Sequence, residues 1–112
     1  PIVAGADAAE PISAIISYLG MRSDVLFVIS SDMSHYLNYE SAKHVDAQSI
    51  RQILSGNFEL NLNQACGAEC INGLLSIVRE HGLNIQLVNA ANSGDTGGGK
   101  ERVVGYASFV IY

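Results

Sequence analysis

The run Val25-Leu26-Phe27-Val28-Ile29 constrains this chain more than any other stretch, because consecutive apolar residues leave neither face of a strand free for water. All but Leu26 are β-branched or aromatic, which favours a pleated, extended backbone. The run reads as a central strand covered on both sides. Ser30, Ser31, Asp32, Ser34 and His35 follow at once. In open α/β sheets ligand sites form beyond the carboxyl ends of strands, so these small and polar side chains arrive where chemistry is usually done.

The remaining segments read as scaffolding for that edge. Pro1-Ile-Val-Ala-Gly5 is predicted to be a short strand, and Ile12, Ile15, Ile16 and Leu19 form an apolar stripe at helical spacing that stops at Gly20. A strand, a helix and a second strand make a βαβ unit, with parallel pairing and right-handed crossover. Helices are predicted from Tyr39 to Leu54 and from Gln64 to His81, closed by Ser55-Gly56-Asn57 and by Gly82. Gly67 and Gly73 fall inside the latter and point to an irregular or tightly packed start. Ile85–Ala91 and Val103–Tyr112 read as strands joined by the glycine-rich loop Asn92–Glu101, and without an intervening helix they pair antiparallel or cross the sheet through that loop. The predicted class is α/β, a βαβ-based mixed sheet with helices packed on it.

Charge removes several function classes. With 6 basic against 11 acidic residues the chain carries a net charge of -5, which offers nothing to a nucleic-acid backbone or an anionic membrane. No apolar run approaches the ~18 residues of a membrane span, and no basic leader precedes one. Charged residues make up only 15%, against ~25% in typical soluble domains, so part of the surface is expected to be covered. Cys66 and Cys70 are the only cysteines; at i, i+4 on a helix they make an awkward disulfide, and two free thiols suit the cytoplasm.

The polar burst invites comparison with a hydrolase, but Ser34 and His35 are adjacent and Asp32 is nearby in sequence, whereas triad members converge from separate segments. The alternative is that Asp32 or Ser34 caps the following helix. Cys66, beside Gly67 at a helix start, reads as a thiolate ligand or nucleophile, or as a small buried apolar side chain; the spacing of the cysteines is not a zinc motif. The loop Gly97-Gly98-Gly99-Lys100 lacks the spacing and following helix of a phosphate cradle. His44 and His81 read as surface helix residues.

Ser30-Ser-Asp-Met-Ser-His-Tyr36 after an apolar strand, Asp46 in the next helix, Cys66-Gly67 opening another, Asn92-Ser-Gly-Asp95 and Val103-Val-Gly-Tyr-Ala107 occur here in an order that resembles the Memo family. This family is also called the protein B component of the AmmeMemoRadiSam group. The resemblance covers essentially the whole chain but only the C-terminal part of the family, so residues 1–112 are expected to be the C-terminal segment of a Memo-like domain whose N-terminal half is absent.

It implies the α/β/α fold of class III extradiol ring-cleaving dioxygenases. It also implies a metal centre built from two histidines of the N-terminal half and one cysteine, matched here by Cys66. His35 matches the pocket histidine that acts as acid and base beside iron in the dioxygenase relatives, with Asp32 as the group orienting it. Ser31, Ser34, Tyr36, Ser93 and Asp95 are expected around the same pocket. Iron or copper is implied for the full-length family, and none is expected on this chain, which lacks both N-terminal histidines. The resemblance thus implies part of a non-haem metal-binding protein, with enzymatic activity left open, or alternatively a non-catalytic module for a ligand or peptide on the same fold. Apolar surface meant for the N-terminal half predicts a homo-oligomer.

Overall fold

The computed structural model describes residues 1–20 and 22–112. Its elements run α1 (Ala9–Leu19), β1 (His35–Leu37), α2 (Tyr39–Leu54), α3 (Ala68–His81), β2 (Ile85–Asn92) and β3 (Val103–Ile111). The fold is α/β, with three helices against a three-stranded sheet of order β1-β3-β2. Among the described residues no helix is long and apolar enough to cross a membrane.

Local chemistry accounts for the helix boundaries. Asn38 caps α2 by accepting the Ser41 N–H at 2.9 Å, and α2 buries Ala42, Asp46, Ser49 and Ile53 along one stripe. Gly82 ends α3 in the left-handed region (φ 64°), where the Leu83 N–H returns to the Val78 carbonyl. Gly73 is explained by packing, since a Cβ there would stand 2.6 Å from the Ala9 carbonyl oxygen of α1. That close approach seats α1 on α3 over Ile12, Ile16 and Ile77, with Phe27, Cys70 and Leu74 alongside. A second cluster of Met33, Ile53, Leu60, Ala65, Ala68 and Leu75 lies between α2, α3 and the sheet.

The hairpin β2–β3 is antiparallel, from Ile85 opposite Ile111 to Asn92 opposite Gly105. β1 also pairs antiparallel with β3, through His35 opposite Val104 and Leu37 opposite Val103. The ladder slips between those two pairs, and Tyr36 at the slip has φ 60°. Tyr36 is therefore the extra residue of a β-bulge, a device that re-aims neighbouring side chains.

Two expected strands do not form. Residues 1–5 and 25–29 belong to no ladder, so the sheet is antiparallel throughout rather than mixed and no parallel βαβ unit is closed. The apolar run is covered on one face only: Phe27 packs on the α1–α3 cluster, while Leu26 and Val28 are 86% and 78% exposed. A strand needs a neighbour to take its alternate N–H and C=O groups, and none of the described residues pairs with this run in a ladder. The third helix also starts at Ala68 rather than Gln64. Turns stabilised by the Asn61 and Gln64 side chains occupy residues 61–64, and the Cys66 N–H is drawn off to the Asp32 carbonyl.

Candidate functional site

Three chemically capable side chains meet where the segment before β1 passes the start of α3. The Asp32 N–H points at Cys66 Sγ (3.3 Å), and the Cys66 N–H donates to the Asp32 carbonyl (3.2 Å), so the two backbones are laced together. Ser31 Oγ completes the lacing: it accepts the Gly67 N–H at 2.8 Å, donates to the Asp32 carbonyl at 2.7 Å and lies 3.7 Å from Cys66 Sγ. Gly67 is required for this fit, because a Cβ there would stand 2.8 Å from Ser31 Cβ.

His35 Nε2 lies 3.4 Å from Asp32 Oδ2. One ligand atom each from Asp32, His35 and Cys66 fall within 4.8 Å of one another. Donors about 2.0–2.3 Å from one first-row ion stand roughly 3.5 Å apart, so the three groups are candidates for metal ligation by their proximity. The cluster faces solvent, with the Asp32 side chain 49% and the His35 side chain 30% exposed. Beside it, His35, Leu37, Val45, Leu62 and Asn63 line an open cleft of about 500 Å³.

Behind the exposed cluster the spacer is rigid. Met33 and Ser34, the residues between Asp32 and His35, are both buried. The Met33 N–H donates to the Gly105 carbonyl and the Gly105 N–H to the Ser34 carbonyl, each at 2.9 Å. The Ser34 N–H turns the other way, to Asp46 Oδ1 of α2 at 2.9 Å. Ser34 therefore belongs to the wall of the fold, and its hydroxyl does not reach the open site.

The other expected pocket residues are placed differently. Tyr36 is exposed, its ring 5.7 Å from the His35 ring and 4.9 Å from the Arg102 guanidinium, so it flanks the cluster. Ser93 Oγ accepts the Val104 N–H, and Asp95 accepts the Tyr39 hydroxyl at 2.6 Å and the Asn92 N–H at 2.8 Å. These two fold the β2–β3 loop and tether it to α2; among the described residues no hydrogen bond joins either to Asp32, His35 or Cys66. The Tyr39 hydrogen bond lowers the Asp95 pKa from its ordinary value, and the same bond raises that of Tyr39. His44 and His81 are exposed on their helices, and Cys70 packs among apolar residues.

Asp46 is the residue whose role the sequence reading missed. Its position held the signal, because an acid between Ala42 and Ser49 falls on the buried stripe of α2.

Comparison with known proteins adds the relatives. A family profile described as Memo-like protein matches residues 2–110. A MEMO1 family protein of Pyrobaculum aerophilum is 36% identical over 93 residues, 76% of this chain and 33% of its own length. One from Methanosarcina mazei is 34% identical over 105 residues, 87% of this chain and 39% of its own. One from Desulfurococcus amylolyticus is 32% identical over 124 aligned positions, 100% of this chain and 44% of its own. The chain thus spans well under half the length of these curated relatives.

Proposed function

The chain belongs to the Memo-like protein family, and on that footing we propose that it carries the thiolate side of a non-haem metal centre whose remaining ligands come from the N-terminal half of a longer domain. The observation that supports this most is the convergence of Cys66, His35 and Asp32 on one open cluster. Cys66 Sγ is the ligand in this reading. A thiolate favours iron, copper or zinc over magnesium or calcium, and the Asp32 N–H aimed at the sulfur complements its negative charge. A bound ion of this class would supply Lewis-acid or redox chemistry. His35 takes up or returns a proton at Nε2, and Asp32 orients the imidazole and stabilises its charged form. The cleft along Leu37, Val45 and Leu62 holds the apolar body of a substrate against His35. Kinship with class III extradiol dioxygenases makes oxidative ring cleavage the reaction to test in the longer protein. Two free thiols suit a cytoplasmic setting.

Cobalt(II) titration of the longer protein, which supplies the N-terminal ligands, tests the ligand assignment. A thiolate-to-cobalt charge-transfer absorption is expected, and Cys66→Ser should abolish it while Cys70→Ser leaves it intact. The same absorption in Cys66→Ser would overturn the assignment. In the longer protein, bound iron with oxygen uptake on catechols favours the enzyme.

The second reading is a non-catalytic module that binds a ligand or peptide in the same cleft, and the openness of that cleft to solvent favours it. Bound ligand with no metal and no oxygen uptake would support this module.

A further inference from the structure

We propose that Asp46 is a positioning residue for the cluster: from the far side of the fold it holds the Ser34 amide and thereby fixes where Asp32 and His35 stand relative to each other. This rests on the metal-centre reading for its consequence and on geometry alone for its cause.

Asp32 and His35 sit at i, i+3, and two residues decide their mutual placement. Met33 is gripped at its N–H by the Gly105 carbonyl, and Ser34 is gripped at its carbonyl by the Gly105 N–H. β3 thus holds one side of the spacer. Among the described residues the Ser34 N–H has one hydrogen-bond partner, Asp46 Oδ1 at 2.9 Å, in a buried setting. An unpaired buried N–H is costly, and a carboxylate acceptor makes a shorter, stronger bond than a neutral one. α2 therefore holds the other side through a single group.

The room for that group is specific. Asp46 is 8% exposed, and its carboxyl group occupies the space that a Cβ at Gly105 would need. A side chain at 105 and the carboxylate cannot coexist, so Gly105 and Asp46 are two parts of one device. Immediately beyond Ser34 the backbone enters the bulge at Tyr36, which leaves His35 between a tethered residue and a left-handed one. Rotation of the Ser34 peptide would pass directly into the His35 backbone. On the other side, Asp32 is laced to Cys66 by two backbone contacts, so any slip of the spacer changes the Asp32–His35 separation.

The test compares Asp46→Asn, Asp46→Ala and the double variant Asp46→Ala/Gly105→Ala, in which the new methyl fills the vacated space should the single alanine variant fail to fold. Amide hydrogen exchange and metal-free NOE contacts between the His35 ring and Asp32 are read first. The alanine variants should expose the Ser34 amide to exchange while Met33 stays protected, and should lose the contact between His35 and Asp32. Asp46→Asn, which keeps an oxygen acceptor, should retain both. A folded alanine variant with the His35–Asp32 contact intact, or an asparagine variant as impaired as alanine, would overturn the proposal. If the longer protein takes up no cobalt, the metal reading fails, and the exchange and NOE measurements, made without metal, still decide the role of Asp46.

Discussion

Replacing Gly67 by Ala probes the tightest contact at the site. The backbone there has φ -97°, on the negative side where alanine is tolerated, so the main effect is steric. The new methyl would meet Ser31 Cβ at 2.8 Å, Ser31 Oγ at 3.0 Å and the Ser30 carbonyl oxygen at 3.3 Å. Ser31 cannot retreat without giving up the Gly67 N–H that it accepts. Overpacking costs about 1–3 kcal/mol. Loss of that hydrogen bond adds about 0.5–1.5 kcal/mol. Against this stands a gain of about 0.4–1 kcal/mol from the stiffer unfolded chain. The net expectation is a loss of roughly 0.5–4 kcal/mol, read as a lower urea midpoint at unchanged slope. Cys66 should also become more reactive toward a thiol reagent as its lacing to Asp32 loosens. A Gly67→Ala protein as stable as the original, with unaltered Cys66 reactivity, would refute the claim that this glycine is required for close approach.

Two further predictions concern the surface. The Tyr39–Asp95 pair should make stability pH-dependent at both extremes: the depressed Asp95 contributes above its ordinary pKa of 3.8 and loses its contribution as pH falls through the folded value. Tyr39, raised above 10.0, contributes below that value and loses its contribution as pH rises through the folded one. The stability difference between the original chain and Tyr39→Phe should therefore be a plateau at neutral pH that declines on both sides; a difference independent of pH in thermal melts would contradict it. Leu26 and Val28 form an exposed apolar patch on a segment outside the sheet, and we propose that this patch drives self-association. Light scattering should give a multiple of 11.9 kDa for the chain and a smaller species for Leu26→Ser/Val28→Ser, and a monomeric original chain would end that reading.

Amphipathic periodicity made the helices legible, because α2 and most of α1 and α3 bury one stripe at 3.6-residue spacing, with α2 opening at the Asn38 cap and α3 closing at left-handed Gly82. The strands β2 and β3 were readable from two β-rich runs around a glycine loop, and their antiparallel pairing is the first of the two connections that loop left open. Of the candidate residues, Asp32, His35 and Cys66 came together in space. Ser93 and Asp95 did not join them, since their side chains are engaged by Val104, Asn92 and Tyr39. Nothing local in the residue string states which acceptor a loop hydroxyl or carboxylate will meet.

Residue order alone determined the elements with their own periodicity and the chemistry available to the site: a thiol, an imidazole and a carboxylate. Tertiary structure decided what those groups face. It left residues 25–29 without a ladder, because pairing depends on a neighbour rather than on β-propensity. It set the Tyr36 bulge, turned Ser34 inward, and gave a buried Asp46 the task of holding the Ser34 amide. The physical reason is range. Helical periodicity arises from contacts within a few residues, whereas a buried hydrogen bond or a glycine-sized gap depends on which distant segment arrives beside it.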